Sequence, residues 1–538
     1  MTPLYNRDMF GNYPVNDDWI FLWQVKAFTM GIFKINADLD PSFVAQGLLG
    51  LFWSKVFGLS YVSLQALTFL ISLATAFVVY KILTLIKTKK IFAIAGALTL
   101  LFNPLFFVSS FSFMTENYLL FFLSTSSYFF IKFFINSSYR DLLLGSVFGL
   151  LATMTRQNGF LIFLPVIPII LLNKQKEYRK KIIKTSIVPI LFAVLSLALS
   201  FLWPKFGSNG KFLEFKDFGI RLRSSLYFPQ YFFIFLSPVF LGIKGMLKST
   251  KVKIVALVIT LVSAYTLFKT DLFPLGNVFY IEELYAKPDF RSNFSLFDNI
   301  FTKSALALLW GFAFSKIVIF LFGKFRERKV LLSRVDAFLI SSFALNLAIL
   351  LISSDIYDRY LLPSLLFLLI FVFGKIGEGD RLSKKFVFFS ITVFMFISVF
   401  LQWDFSAKNS LMWKQLENLR EKTGLSKQIS LNESYTNHIS VRESGDFTGL
   451  KERGGGFDPI CFIQDYTLGT SSPFFKRVEN STLFKRVKDP RPLDVRKKTI
   501  PRIKNNLDKL IYNEEYFSIL YGAVGKKAYV GSFCIENT

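Results

Sequence analysis

The sequence predicts an all-α polytopic membrane protein with a small α+β domain at its C-terminal end. Three observations carry this. Of the 538 residues, 52% are apolar and 18% aromatic, and the mean hydropathy is +0.44. Apolar runs near helix-spanning length recur up to about residue 403. Basic residues fill every second loop between those runs, as the positive-inside rule expects of cytoplasmic loops.

The net charge of +26 follows that loop pattern, so it argues for membrane topology and against nucleic-acid binding. Two Cys and one His leave little basis for a Cys/His zinc or iron–sulfur centre. The 67 Phe suit a lipid-facing surface. The chain does not open on a basic stretch, short apolar core and cleavage site, so insertion is expected to rely on the spans themselves.

Residues 1–18 are polar. Residues 19–35 (WIFLWQVKAFTMGIFKI) are interrupted by Gln24, Lys26 and Lys34, and predict a helix along the membrane interface with Trp19 and Trp23 at headgroup depth. A short true span is the alternative. Twelve spans follow, at about 60–86, 91–113, 118–135, 142–155, 159–172, 185–203, 230–247, 254–270, 301–322, 335–353, 357–374 and 386–403. The fourth and fifth are short and flank Arg156, Gln157 and Asn158. These polar residues belong at the outer surface or facing a water-filled cavity. A single re-entrant or kinked element is the alternative.

Orientation comes from the basic loops. Lys87, Lys89 and Lys90 follow the first span and Arg140 the third. Lys174, Lys176, Arg179, Lys180, Lys181 and Lys184 follow the fifth, and Lys244, Lys248, Lys251 and Lys253 the seventh. Lys324, Arg326, Arg328, Lys329 and Arg334 follow the ninth; Lys375, Arg381, Lys384 and Lys385 follow the eleventh. The predicted organisation is a transmembrane domain over 1–403, with outer loops at 204–229 and 271–300, and an extracytoplasmic domain over 404–538. Loops of that length tend to be functional. The tail mixes charges of both signs with turn signals such as Gly454-Gly455-Gly456 and strand-like runs CFIQDYTL, YFSILYGAVG and AYVGSFCI. Residues 408–424 fit an amphipathic helix with a glycine stop. Cys461 and Cys534 both fall in strand-like runs of the tail, where an outer compartment permits a disulfide; two buried free thiols are the alternative.

In this topology the polar residues of interest share one side: Asp17 and Asp18, Glu116 with Asn117, Arg156 with Gln157, and Asp355, Asp358 and Arg359. Carboxylates can deprotonate an acceptor or hold a metal, and arginines can grip a phosphate. Each has a bland reading. Asp17 or Asp18 can cap the helix beginning at Trp19, and Glu116 can be a loop acid. Arg156 can snorkel from a helix end, and DIYDRY can be a pairing network between helix ends. The residues alone leave open whether an outer anion site belongs to an enzyme, a lipid or sugar transporter, or a scaffold. A transporter would need midplane charges in a repeated arrangement, and neither is evident.

At these residues the chain resembles the GT-C-fold glycosyltransferases, in the bacterial group related to protein O-mannosyltransferases (glycosyltransferase family 39) and the aminoarabinose transferases that modify lipid A. NDDWIF is similar to the family's first outer acidic motif, which puts Asp17 at the catalytic aspartate, Asp18 at the neighbouring acid and Phe21 at the aromatic, here without the more usual Tyr hydroxyl. SFMTENYLLFF resembles the second acidic motif, with Glu116 as its acid, and TMTRQNG the segment with an outer Arg, here Arg156 and Gln157. DIYDRYLLPSL resembles the late Arg-Tyr-Leu-Leu-Pro element, with Asp358, Arg359 and Tyr360. The resemblance covers roughly residues 13–437. It implies an inverting transfer from a polyprenyl-phosphate-linked sugar to a lipid, glycan or protein acceptor, at the outer face of the cytoplasmic membrane. Asp17, Asp18 and Glu116 are then catalytic, Arg156 and Arg359 bind phosphate, and Gln157, Tyr360 and Asp358 support them. No cofactor is required, although Glu116 and Asp18 can share a divalent metal. The family carries a transmembrane helix before the Asp motif, where this sequence has sixteen polar residues; a start placed too far downstream is the expected reason, and loss of the helix is the alternative.

The charge alternation makes a direct prediction. Reporter fusions at residues 178 and 420 should report opposite sides of the membrane, and finding both on one side would overturn the topology.

Overall fold

The fold is taken from a computed structural model, which describes residues 10–15, 17–36, 42–171, 179–206, 225, 228–244, 249–269, 300–326, 333–351, 357–375, 381–423, 429–430, 461–469, 510–516 and 526–534. The protein is an all-α, multi-pass membrane protein. Among the described residues, five helices are long and apolar enough to cross a bilayer: Tyr61–Leu85, Thr115–Asn136, Thr185–Leu202, Thr250–Phe268 and Lys384–Asn418.

Each of the twelve predicted runs falls on helical structure, but the regularity differs from the prediction. The helices are α1 (Asp18–Thr29), α2 (Val44–Phe57), α3 (Tyr61–Leu85), α4 (Lys90–Leu101), α5 (Pro104–Ser109), α6 (Thr115–Asn136), α7 (Tyr139–Thr153), α8 (Phe163–Leu171), α9 (Arg179–Leu202), α10 (Phe228–Gly242), α11 (Thr250–Lys269), α12 (Ile300–Arg326), α13 (Arg334–Leu350), α14 (Leu362–Lys375) and α15 (Lys384–Thr423). The run 91–113 breaks into α4 and α5 because a residue preceding proline disfavours the helical region. Asn103 is extended there, and its side chain accepts from Leu105 N at 3.0 Å to cap α5. The runs at 159–172 and 357–374 both open as 3-10 turns, Gln157–Ile162 and Asp358–Leu361, before becoming α8 and α14. The last span and the predicted amphipathic helix are one element, α15, of 40 residues. At 1.5 Å per residue it is roughly 60 Å long, about twice the hydrocarbon thickness, so half of it stands clear of the bilayer core.

The predicted helix over 19–35 is corrected to Asp18–Thr29. Gly31, at φ +81°, turns the chain just after it. Trp19 and Trp23 are buried by protein. The reason is that, apart from Asp18, Gln24, Lys26 and Thr29, the helix is apolar, and that α2, an element without a counterpart among the predicted spans, packs against it. Gln24 closes the following turn: its side chain donates to Lys34 O and accepts from Asn36 N, both at 2.9 Å. The chain then forms a two-residue parallel pair, β1 (Ile35–Asn36) with β2 (Lys205–Phe206). Beyond β2, the outer loops predicted at 204–229 and 271–300 lie almost wholly outside the described residues.

The Phe residues do not simply face lipid. Phe28, Phe43, Phe106, Phe113, Phe130, Phe163, Phe228, Phe235 and Phe240 are among the largest fully buried side chains, while Phe77, Phe201, Phe301 and Phe389 are exposed. Phe338 on α13 sits edge-on to both Phe130 of α6 and Phe367 of α14, each at 6.2 Å between centroids. Edge-to-face geometry joins these helices with little polar cost. At the ends predicted to be cytoplasmic, Lys132 pairs with Asp141 at 3.0 Å and Lys375 with Asp336 at 2.6 Å. Asp336 also completes a capping box with Ser333 at the start of α13.

After α15 the described residues form a four-stranded sheet of β5 (Ile429–Ser430), β6 (Cys461–Gly469), β7 (Leu510–Tyr516) and β8 (Lys526–Cys534), in the order β5-β6-β8-β7. β3 (Ile243–Lys244) and β4 (Arg381–Leu382) form a separate two-residue antiparallel pair. In the sheet, β6 and β8 run antiparallel with Cys461 directly opposite Cys534. Opposed Cα atoms in an antiparallel pair lie about 4.5–5.5 Å apart, within the range a disulfide spans. Denatured protein should therefore take up alkylating agent only after reduction. Two alkyl additions without reductant would exclude the bond.

Candidate functional site

Three chain segments distant in sequence meet at the ends of α6, α7 and α14 that the loop charges predict to lie outside. The first turn of α6 carries Glu116, the connection after α7 carries Arg156, and the 3-10 turn before α14 carries Arg359. Arg156 is extended (φ −146°, ψ 140°), which ends α7 and swings its side chain toward α6. Its N–H donates to Ala152 O at 3.0 Å, and its carbonyl accepts from Gly159 N at 2.8 Å. Gly159 is required at that turn: a Cβ there would stand 2.3 Å from the carbonyl carbon of Ala152.

One oxygen of Glu116 serves both arginines. Oε1 accepts from Arg156 Nη1 at 3.0 Å and lies 3.2 Å from Arg359 Nε. The second contact is a close ion pair whose angle falls outside hydrogen-bond geometry, since Nε has no hydrogen-bond partner. The other oxygen, Oε2, is sealed from solvent and has no hydrogen-bond partner. Both guanidiniums lie near the Tyr360 ring, Arg156 4.7 Å and Arg359 5.6 Å from its centroid. Cations held over an aromatic face are attracted by its quadrupole. Tyr357, absent from the sequence prediction, lies 5.7 Å from Arg359.

Asp17 reaches the same cluster from the N-terminal side. Its Oδ2 lies 3.9 Å from Arg359 Nη2, and its side chain is 56% exposed against 8% for Arg359. It occupies the N-cap position of α1, yet its side chain makes no capping hydrogen bond. Asp18 goes elsewhere. It is fully buried, and its Oδ1 accepts from Val15 N at 2.5 Å. Burial pushes its carboxyl well above the usual carboxylate range, opposed by the Val15 N–H and reinforced by the Asp17 charge. Phe21 stacks on Phe43 at 4.8 Å and is a packing residue. Asp358 accepts from Arg359 N at 2.7 Å, which shapes the turn carrying Arg359.

A cavity of about 220 Å³ opens beside the cluster. Its lining combines the polar Glu116, Arg156, Gln157, Asn158, Arg359 and Tyr360 with the apolar Leu119, Phe160, Ile349, Leu350 and Pro363. Asp17 and Asp18 are outside this lining. Asn158 and the apolar lining residues are missing from the predicted site, although Asn158 stands beside Arg156 and Gln157 in sequence. A lining that joins two arginines to apolar side chains suits an amphiphile with an anionic head. A divalent metal shared by Glu116 and Asp18 does not fit these residues. Asp18 is committed to a backbone N–H, and Glu116 sits between two guanidiniums that would repel a cation. Among the described residues, no group of three or more His, Cys, Asp or Glu gathers.

Residues 52–239 match a family model described as dolichyl-phosphate-mannose-protein mannosyltransferase. The matched segment is about a third of the chain and includes Glu116 and Arg156. Among solved structures, the crystal structure of ArnT from Cupriavidus metallidurans in the apo state aligns over 97% of this chain and 94% of that one, at 10% identity and a TM-score of 0.34; likeness at that level carries no argument. No curated protein matches.

Removing one partner of a buried ion pair costs about 3–5 kcal/mol, because the remaining charge is left uncompensated. Glu116→Ala should therefore lower the unfolding midpoint in detergent markedly, and adding Arg156→Ala should restore part of the loss. An unchanged midpoint in Glu116→Ala would show that the carboxylate does not hold the arginines together.

Proposed function

We propose that the protein is a membrane glycosyltransferase of GT-C type. It moves a sugar from a polyprenyl-phosphate carrier to a lipid, glycan or protein acceptor at the outer face of the cytoplasmic membrane. The observation that carries this reading is the pair of arginines in the lining of an amphiphilic cavity, with a half-exposed carboxylate, Asp17, 3.9 Å from one of them. The donor class named by the family description supports it, and the predicted topology is the twelve-span arrangement with residues 404–538 outside.

In this reading the carrier phosphate lies against Arg156 and Arg359, and its lipid lies along the apolar lining residues. An acceptor hydroxyl or amine attacks the anomeric carbon while the bond from that carbon to the phosphate oxygen breaks. Negative charge grows on the departing phosphate, where preorganised guanidiniums are most effective. Asp17 takes the acceptor proton. Its exposure leaves it accessible to an incoming acceptor, whereas Glu116 is occupied by two cations and Asp18 by a backbone N–H. A single displacement inverts the anomeric centre. Glu116 holds the two arginines at one spacing, the Tyr360 ring packs against both, and Gln157 lines the phosphate side.

A general base contributes about 10² to 10⁴ in rate. Asp17→Asn should leave insertion and unfolding midpoint unchanged, because the side chain makes no capping bond, and should cut transfer from a polyprenyl-phosphate sugar at least about a hundredfold. Transfer at the unsubstituted rate would end the assignment of Asp17 as base.

A further inference from the structure

The first turn of α6 carries three consecutive polar side chains, Glu116, Asn117 and Tyr118, and helical geometry sends them in three directions. Glu116 reaches the arginines. Asn117 is fully buried and points away from the cavity. Its Nδ2 donates to Ser72 Oγ of α3 at 2.7 Å and to Phe106 O of α5 at 3.3 Å. Only the amide nitrogen can donate to a carbonyl, so the bond to Phe106 fixes which way the amide faces. Ser72 Oγ passes its own proton to Thr68 O at 2.7 Å, and the Tyr118 hydroxyl lies 3.1 Å from Thr68 Oγ1. One turn of α6 is thus fastened to α3 twice and to α5 once.

The amide is a poor choice for packing alone. Its Oδ1 is sealed from solvent and has no hydrogen-bond partner, and a buried acceptor left unpaired costs stability that an apolar side chain would not. What the amide supplies is its two donations, and these lie one residue from the carboxylate that two guanidiniums approach within 3.0 and 3.2 Å. Contacts that short tolerate little displacement of the Glu116 backbone.

We propose that Asn117 is a positioning residue: by tying the first turn of α6 to Ser72 and Phe106, it sets Glu116 between Arg156 and Arg359 and so presets the phosphate site. The inference rests on the glycosyltransferase reading. It is tested on the purified protein in detergent, by the affinity for a sugar-free polyprenyl phosphate, with circular dichroism confirming the fold. Asn117→Ala should weaken binding about tenfold, and in a Glu116→Gln background the same substitution should change it less than about twofold, because interacting sites are non-additive. Ser72→Ala removes one anchor with little change in volume. It should weaken binding roughly threefold, again only when Glu116 is present, and it serves if Asn117→Ala does not fold. An equal effect in both backgrounds would make Asn117 a general packing residue and overturn the proposal, as would unchanged binding in both. Failure of the unsubstituted protein to bind the carrier would overturn the glycosyltransferase reading together with it.

Discussion

A single carboxylate oxygen, Glu116 Oε1, between two guanidiniums is the contact on which this end of the bundle depends. Charges at membrane depth persist only when paired or wet. Here three charges from α6, the turn after α7 and the turn before α14 meet in one place, and each of those segments is irregular or newly begun where it does so. The pairing needs that irregularity. An unbroken helix through Arg156 or Arg359 would carry the side chain past Glu116.

The irregular segments are held by short-range means. Gly159 lets the turn after α7 press against the Ala152 backbone, and the Asp358 carboxylate bonds the N–H of Arg359. The regular helices behind them pack through aromatic edges, and serine and threonine hydroxyls in them donate to the carbonyl four residues earlier in the same helix, as Ser72, Thr75, Ser127 and Ser146 do. A hydroxyl satisfied within its own helix can be buried in the bundle without a partner from another chain segment. The result is a firm frame with a cavity at one end, and the charged lining of that cavity comes almost entirely from the breaks in the frame.

The N-terminal acids show how adjacent, identical residues diverge. Asp17 and Asp18 are one residue apart, yet one faces Arg359 with more than half its side chain exposed, and the other is buried on a backbone N–H. The helix begins between them, so their side chains project in different directions. In the proposed transfer only the first can meet an incoming acceptor.

The sequence by itself determined the membrane class, the helical runs and the residues worth attention. Apolar length, loop charge and the position of polar residues are local properties that survive without any knowledge of packing. It also singled out Asp17, Glu116, Arg156, Arg359 and Tyr360, which the structure brings together. Tertiary structure alone decided the rest. The run after Asp18 is buried because α2 covers it, and the periodicity of so apolar a run does not show that. Many of the Phe are interior because Phe suits lipid and a protein core equally well. Asn158, Asn117 and the division of labour between Asp17 and Asp18 depend on which neighbours arrive from tens to hundreds of residues away, and that is information a linear chain does not carry.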